Sequence, residues 1–377
     1  MSGANIPQSD PGAAYRAHKP ELDAAVTRVL ESGWYILGKE VAAFEKEFAD
    51  YIGVAHAVAV ANGTDALALA LRALGIGPGS AVATVSHTAV ATVAAIEMAG
   101  ATPVLLDIEN EFFTLDAAEF ERAVASRSGD SAIRAVIPVH LYGQAADLDR
   151  ILEVARAHDI AVIEDCAQAH GAMLGGRRLG SFGDAAAYSL YPTKNLAALG
   201  DGGIVTTAGD EVAARLAALR QYGWRERYVS DFVGVNSRLD EVQAAVLRVR
   251  LEHLDADNRR RQAIAAIYDE QLADCEARGL KLPARRSGAS HVFHQYVVQL
   301  ADRDRLQGQL RSDGIGTNIH YPMPVHLQRA YSGRIAVGPS GLPCSEQAAR
   351  TVLSLPMHAQ LTDEQACKVC EVVRARL

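Results

Sequence analysis

The sequence predicts an α/β fold in which a large domain, built on a mostly parallel sheet, is followed by a smaller α+β domain. Through the first two-thirds of the chain, short apolar segments alternate with helical patterns. Fully apolar strands joined through helices are typical of a parallel sheet that is covered on both faces. After about residue 250 the alternation ends, and strands and helices follow without βαβ regularity.

Seven segments are predicted as strands of the large sheet, because each is a short apolar run bounded by glycine, proline or aspartate. They span residues 57–60, 81–85, 103–106, 135–139, 160–163, 185–190 and 203–206. Helical patterns at 65–74, 90–99 and 148–158 supply crossovers between them. The seven-stranded sheet is therefore expected to lie between two helical layers.

The C-terminal part has a different pattern of elements. Helices are predicted over 240–254, 260–272, 303–312 and 363–376, with a strand over 293–300. We predict a large domain at residues 1–250 and a small C-terminal domain at residues 251–377. A helix over 21–31 precedes the first strand, and residues 1–32 are expected to pack near the small domain.

Charge and hydropathy exclude two classes of partner. The 377 residues carry a net charge of −8, and the short basic run at 259–261 is typical of a solvated helix face, so no nucleic-acid partner is expected. The apolar stretch at 82–106 is interrupted by polar residues and by Pro103, so no membrane-spanning helix and no membrane partner are expected.

The cysteines indicate a reducing environment. Five of them are scattered along the chain, which predicts free thiols and a cytoplasmic location. Cys367 and Cys370 form a CxxC pair, but they lie in a helical pattern with no second pair. No metal site is predicted.

Two residues could carry chemistry. Asp165 follows the strand at 160–163, at the sheet edge where α/β proteins bind ligands, and a carboxylate there needs a cation or hydrogen-bond donors. For an isolated aspartate, an ordinary helix N-cap is the favoured alternative. Lys194 lies in a turn between two apolar strands, among small residues that can desolvate its amine and lower its pKa.

Two further segments could bind an anion. Residues 62–65, Asn-Gly-Thr-Asp, open the first helix after the first strand, where free N–H groups attract phosphate and Gly63 permits close approach. Asn236 and Arg238 open the long helix near residue 240. Taken singly, each is better explained as a helix cap. Together with Lys194 and Asp165 they suit pyridoxal phosphate (PLP), which needs a lysine amine and an acid for its ring nitrogen.

Ordered motifs extend this argument over nearly the whole chain. They lie at residues 33–38, 62–67, 140–144, 164–171, 189–203, 236–245 and 314–326. In these motifs the chain resembles the DegT/DnrJ/EryC1/StrS family of PLP-dependent nucleotide-sugar aminotransferases. The resemblance implies a fold-type-I PLP transferase and a homodimer with shared active sites. It also implies a nucleotide-linked keto sugar as acceptor and L-glutamate or L-glutamine as amino donor.

The resemblance also assigns roles to individual residues. It implies Lys194 as the Schiff-base lysine, Asp165 as the partner of the pyridine nitrogen and Gln168 beside the 3-hydroxyl of the cofactor. The remaining implied residues are Gly63, Thr64 and Ser189 at the phosphate, Asn236 reaching the phosphate from the neighbouring subunit, and Tyr35, Arg238, His320 and Tyr321 near the substrate.

One departure from the family concerns the cofactor ring. Many relatives place an aromatic residue over that ring, after a threonine in the second βα segment, whereas here Ala89 follows Thr88. His87 could supply the stacking face. An equally good interpretation is a histidine whose hydrogen bonds are satisfied at a strand end.

Alternatives remain open for the activity. Lys194 favours amino transfer over the dehydration performed by relatives that have histidine at this position. The segment at 221–225 resembles family members that aminate C3 of the sugar slightly more than those that aminate C4. Two other hypotheses are a non-catalytic regulatory or binding protein with this fold, and another fold-type-I PLP enzyme that acts on an amino acid.

Overall fold

A computed structural model describes residues 5–377. The helices are α1 (Pro11–Ala17), α2 (Lys19–Ser32), α3 (Lys39–Ile52), α4 (Gly63–Ala73), α5 (Val90–Met98), α6 (Ala117–Ala125), α7 (Leu148–Ala157), α8 (Asp210–Leu219), α9 (Glu241–Leu272), α10 (Arg303–Ser312), α11 (Pro343–Thr351) and α12 (Asp363–Arg376). The strands are β1 (His56–Val60), β2 (Ala81–Val85), β3 (Thr102–Leu106), β4 (Ile133–Val136), β5 (Ala161–Asp165), β6 (Met173–Leu174), β7 (Arg177–Arg178), β8 (Ala185–Ser189), β9 (Gly203–Thr207), β10 (Trp224–Glu226), β11 (Val229–Ser230), β12 (Tyr296–Gln299), β13 (Ala336–Val337) and β14 (Val352–Leu355).

The large sheet has eight strands, in the order β1-β9-β8-β5-β4-β2-β3-β13. Only β9 runs antiparallel to its neighbours, β1 and β8, and the other pairs are parallel. The predicted mostly parallel sheet is confirmed, but the predicted count of seven strands is one too low. The additional strand, β13, has two residues and pairs with β3 through Ala336 and Val104. A two-residue run shows no periodicity, so no sequence pattern indicates this strand.

Both faces of the sheet are buried, as the apolar strands predict. Along β1, Ala57 and Ala59 join one apolar cluster, whereas Val58 and Val60 join another on the opposite face. This alternation follows from the two-residue period of a strand. Helix α4 packs on the second face and α3 on the first. The carboxyl ends of the central strands therefore open between two helical layers.

Helix α9 is longer than predicted. Separate helices were expected at 240–254 and 260–272, but one helix of 32 residues runs through both. The intervening residues are polar yet include no glycine or proline to end it. The division at residue 250 lies inside this helix and stays a prediction. Leu254 belongs to the cluster at the large sheet, and Ile264 belongs to a separate cluster that includes β12 and β14.

The N-terminal segment contacts the C-terminal part of the chain. Residues 1–4 of the predicted 1–32 segment lie outside the described residues. The amide of Ile6 donates to the carbonyl of Gly314 at 2.9 Å, and helix α2 packs along α9. Within residues 5–377, no helix combines the length and the apolar character that crossing a bilayer requires.

A buried carboxylate on α9 caps the start of α3. Glu241, 3% exposed, accepts hydrogen bonds from the amides of Gly38 at 2.7 Å, Glu40 at 2.9 Å and Val41 at 2.9 Å. The N-cap residue of α3, Gly38, has no side chain with which to cap the helix. Glu241 therefore supplies from a distance the acceptor that a local cap residue usually provides.

We expect Glu241→Ala to lower the free energy of unfolding by about 2–4 kcal/mol, because three backbone N–H groups lose their acceptor. Glu241→Gln keeps one carbonyl oxygen and should lose less. Urea titration followed by circular dichroism measures both variants. Glu252→Ala, an exposed change on the same helix, is the control. A loss for Glu241→Ala no larger than that of the control would contradict the capping role.

Candidate active site

A cavity of about 550 Å³ opens at the carboxyl edge of the large sheet. Strands β5 and β8 are parallel neighbours, with Asp165 paired to Ala187, so both strands end at the same edge. Gly63, Thr64, Asp165, Ser189 and Lys194 all line this cavity. The structure therefore brings together the predicted acid, the predicted lysine and three predicted phosphate ligands.

Asp165 is a buried carboxylate with few donors. Its Oδ2 accepts from the hydroxyl of Thr92 at 2.9 Å, and its Oδ1 accepts from the amide of Ala167 at 3.1 Å. Burial raises the pKa of Asp165, and these hydrogen bonds and the charge of Lys194 offset that rise only in part. A cation bound in the cavity next to Asp165 would stabilise its ionised form.

Lys194 follows β8 in a tight turn, where its amide donates to the carbonyl of Tyr191 at 2.9 Å. The side chain is half-buried. Burial lowers the pKa of Lys194 from its usual value to about 8, although the charge of Asp165 acts in the opposite direction. At pH 7 about one-tenth of this amine is therefore neutral, and hence nucleophilic, whereas an ordinary lysine is almost fully protonated.

The N-terminus of α4 forms another wall of the cavity. Asn62 caps this helix by accepting from the amide of Asp65 at 2.8 Å. A Cβ atom on Gly63 would lie 2.6 Å from the Cβ atom of Ser189, so only glycine allows the helix to approach β8 this closely. The free N–H groups at Gly63 and Thr64, with the nearby hydroxyl of Ser189, are suited to an anion.

The amide of Gln168 joins residues from distant parts of the chain. Its Oε1 accepts from the amide of Tyr142 at 2.7 Å, and its Nε2 donates to the hydroxyl of Tyr321 at 3.0 Å. His320 contacts the hydroxyl of Ser354 at 2.8 Å, and burial lowers the pKa of His320 to about 4. The structure places Gln168, His320 and Tyr321 together, and their roles toward cofactor and substrate stay predictions.

The structure does not bring His87 to the cavity. This residue is fully buried, and its Nε2 lies 2.9 Å from the hydroxyl of Tyr142. Burial lowers the pKa of His87 to about 4, so its ring is neutral. Ala89 lines the cavity instead. The stacking role of His87 stays a prediction, and no contact between His87 and the cavity supports it.

The cavity wall of a single chain does not include Gln168, His320 or Tyr321, nor three further predicted residues. Asn236 is exposed and forms an isolated antiparallel bridge with Gln221. Tyr35 is 51% exposed, and Arg238 is half-buried. Their predicted contacts with phosphate or substrate stay predictions.

Thr92 was not among the predicted site residues, yet it supplies the only side-chain hydrogen bond to Asp165 among the described residues. Thr92 is 1% exposed on the otherwise apolar face of α5. The available signal was a threonine within an otherwise apolar helix. A hydroxyl that is buried there needs a hydrogen-bond partner.

Glu164, the residue before Asp165, organises the loop behind the acid. The Nδ1 atom of His140 accepts from the amide of Ala146 at 3.0 Å, so its Nε2 carries the hydrogen that it donates to Glu164 at 3.1 Å. Glu164 also accepts from the amides of Gly180, Phe182 and Gly183. Burial alone raises the pKa of Glu164, yet these hydrogen bonds outweigh it and leave the pKa below its usual value.

The cavity residues fit PLP. Lys194 offers an amine with a lowered pKa, Asp165 offers a buried carboxylate that a protonated ring nitrogen would stabilise, and the start of α4 offers N–H groups for a phosphate. The distribution of these groups around one cavity matches the three polar ends of the cofactor.

Comparisons with known proteins agree with this geometry. Residues 17–374 match the model of the DegT/DnrJ/EryC1/StrS aminotransferase family. A dTDP-3-amino-3,4,6-trideoxy-alpha-D-glucose transaminase from Streptomyces venezuelae is 48% identical, over 98% of this chain and 95% of that protein. The erythromycin biosynthesis sensory transduction protein EryC1 from Saccharopolyspora erythraea is 45% identical, over 98% of this chain and 99% of that protein.

A solved structure shows the same fold. The crystal structure of S. venezuelae DesV in complex with a ketimine intermediate superposes with a TM-score of 0.94 at 47% identity, covering 99% of this chain and 98% of that chain. The family match over nearly the whole chain, together with these relatives, shows that the chain belongs to the DegT/DnrJ/EryC1/StrS family of PLP-dependent aminotransferases.

Proposed function

We propose that this protein transfers an amino group from L-glutamate or L-glutamine to a nucleotide-linked keto sugar, in the biosynthesis of an amino sugar. The observation that carries the proposal is that Lys194 and Asp165 line one cavity, together with the N-terminus of α4. When bound, PLP supplies the electron sink that amino transfer requires. The residues of the chain bind it, orient it and move protons.

Each residue has a separate task in this proposal. Lys194 binds the cofactor covalently and, once displaced by the amino donor, carries a proton between carbon atoms. Its lowered pKa suits both tasks, because the amine must be neutral to accept a proton. Asp165 keeps the ring nitrogen protonated. Gly63, Thr64 and Ser189 hold the phosphate.

The position of the ketone is proposed as C3 of the sugar. The relative from Streptomyces venezuelae is named for a 3-amino sugar, and this supports the C3 preference drawn from residues 221–225. The name of EryC1 refers to sensory transduction, which would suit a regulatory protein. The paired Lys194 and Asp165 favour catalysis, because binding alone needs neither an amine with a lowered pKa nor an acid beside it.

A homodimer with shared active sites is part of the proposal. Exposed apolar side chains cluster before α3, with Trp34 at 64% and Tyr35 at 51% exposed, and such a patch favours contact with a second copy. Asn236 and Arg238 could then approach the cavity of the partner. A cytoplasmic location is also proposed, since all five cysteines, which lie within residues 5–377, are unpaired.

The test of the activity is a panel of dTDP-, UDP- and GDP-linked 3-amino and 4-amino sugars, run in the reverse direction with 2-oxoglutarate. We expect glutamate to form with a 3-amino sugar. Formation with a 4-amino sugar alone would contradict the C3 assignment, and turnover of an amino acid without any sugar would favour a different PLP enzyme. Lys194→Ala is the matched control, in which glutamate formation should fall at least about a thousandfold, because the covalent attachment and the proton carrier are both lost.

The lowered pKa of Lys194 predicts how pH affects cofactor capture by the apoprotein. Only the neutral amine reacts, so the rate of capture should rise with pH up to about 8 and then level off. Stopped-flow absorbance measures this rate. Asp165→Asn should move the midpoint to lower pH, because the charge of Asp165 raises the pKa of Lys194.

N-α-acetyl-lysine serves as the control for the cofactor's own titrations, since its amine keeps an ordinary pKa near 10.4. Its capture rate should still rise between pH 8 and pH 9. A capture rate for the apoprotein that rises in parallel with this control up to pH 9 would show that burial does not lower the pKa of Lys194.

A further inference from the structure

An amide on helix α9 joins the two chain segments that carry the lysine and the acid. Asn258 is 5% exposed and lies outside the cavity wall. Its Oδ1 accepts from the side chain of Asn195 at 2.8 Å, and its Nδ2 donates to the carbonyl of His170 at 2.8 Å. Asn195 directly follows Lys194, and His170 lies five residues after Asp165.

Both bonds fix the orientation of the amide. The carbonyl of His170 can only accept, so the atom of Asn258 that faces it must be the nitrogen. The oxygen is then turned toward Asn195, whose side-chain nitrogen must donate to it. Exchanging the two atoms of Asn258 would break both hydrogen bonds, so the amide has one arrangement that satisfies both segments.

Asn195 is held from two other directions as well. Its Nδ2 also donates to the carbonyl of Val292 at 3.1 Å. Its Oδ1 lies 3.2 Å from Nδ1 of His294, and because this oxygen can only accept, Nδ1 carries the hydrogen. The turn that holds Lys194 is therefore tied to α9 and to residues 292–294 through the side chain next to the lysine.

The acid-bearing segment packs against α9 without room for adjustment. A Cβ atom on Gly171 would lie 2.7 Å from Nδ2 of Asn258 and 2.5 Å from the hydroxyl of Tyr51. Gly171 also has a positive φ of +82°, which other residues rarely adopt. The backbone around His170 thus lies directly on the helix, and Asn258 connects it there to the lysine turn.

We propose that Asn258 is a positioning residue for amino transfer, which sets the distance between the amine of Lys194 and the carboxylate of Asp165 by bonding to both segments. The expected loss of turnover in an Asn258 variant rests on the proposed function. The expected change in the two segments does not, because it is measured without any substrate. A small displacement of a catalytic group can lower a rate by orders of magnitude, so loss of this amide affects turnover more than substrate binding.

The test uses Asn258→Leu, which has a similar size and loses both hydrogen bonds. Hydrogen exchange of the protein without substrates should become at least tenfold faster in residues 165–172 and in residues 189–198. The kcat of the reverse reaction should fall at least tenfold, while the KM for the amino sugar stays within twofold. Exchange is measured by mass spectrometry after digestion.

Gln262→Leu is the matched control. Gln262 lies one turn further along α9, and its Nε2 likewise donates to a backbone carbonyl, that of His291 at 3.1 Å. It contacts neither segment of the catalytic pair through that bond. If Asn258→Leu resembles Gln262→Leu within twofold in both exchange and kcat, the proposal is overturned.

Asn195→Ala tests the two hydrogen bonds of Asn258 separately. It also replaces Asn258→Leu if that variant does not fold. It removes the bond to the lysine turn but leaves the bond from Asn258 to His170. Exchange should then accelerate in residues 189–198 and stay within twofold in 165–172. Unchanged exchange in 189–198 would overturn the proposal. If exchange becomes faster but no amino sugar of the panel yields glutamate, only the proposed function is contradicted.

Discussion

A carboxylate buried at the edge of a sheet needs a compensating charge, and the rest of this site is arranged around that requirement at Asp165. Two neutral donors, the hydroxyl of Thr92 and the amide of Ala167, do not prevent burial from raising its pKa. Lys194 lines the same cavity and is itself desolvated. The charge of Asp165 raises the pKa of Lys194, and the charge of Lys194 lowers the pKa of Asp165. A ligand with a protonated ring nitrogen would stabilise the carboxylate and leave the amine free to react.

Two kinds of contact bring these groups together: pairing between strands and close packing of a helix on the sheet. The parallel pairing of β5 with β8 sets Asp165 and Ser189 at one edge of the sheet. The close contact between Gly63 and Ser189 then fixes the N-terminus of α4 beside them. Helix α9 lies behind both segments and runs from the cap of α3 to the second apolar cluster. The chemistry therefore depends on packing that is spread over much of the chain.

The sequence predicted what depends on local patterns and missed what depends on contacts. Apolar runs gave the seven long strands of the sheet, and the ends of α10 and α12 were predicted correctly, because capping residues and periodicity mark them. The predicted break in α9 was wrong, since polar residues are compatible with a helix. Ordered motifs pointed to Lys194 and Asp165. The hydroxyl of Thr92 and the buried position of His87 follow from tertiary packing, which no motif records.

Reduction of the PLP-loaded protein with borohydride, followed by digestion and mass spectrometry, shows which lysine binds the cofactor covalently. Lys194 is the only lysine between Lys46 and Lys281, so its peptide is unambiguous. We expect one modified peptide, with the cofactor attached at Lys194, and none in a sample reduced after replacement of this residue. Stable attachment at any other lysine, or binding that leaves no attachment at all, would contradict the role of Lys194.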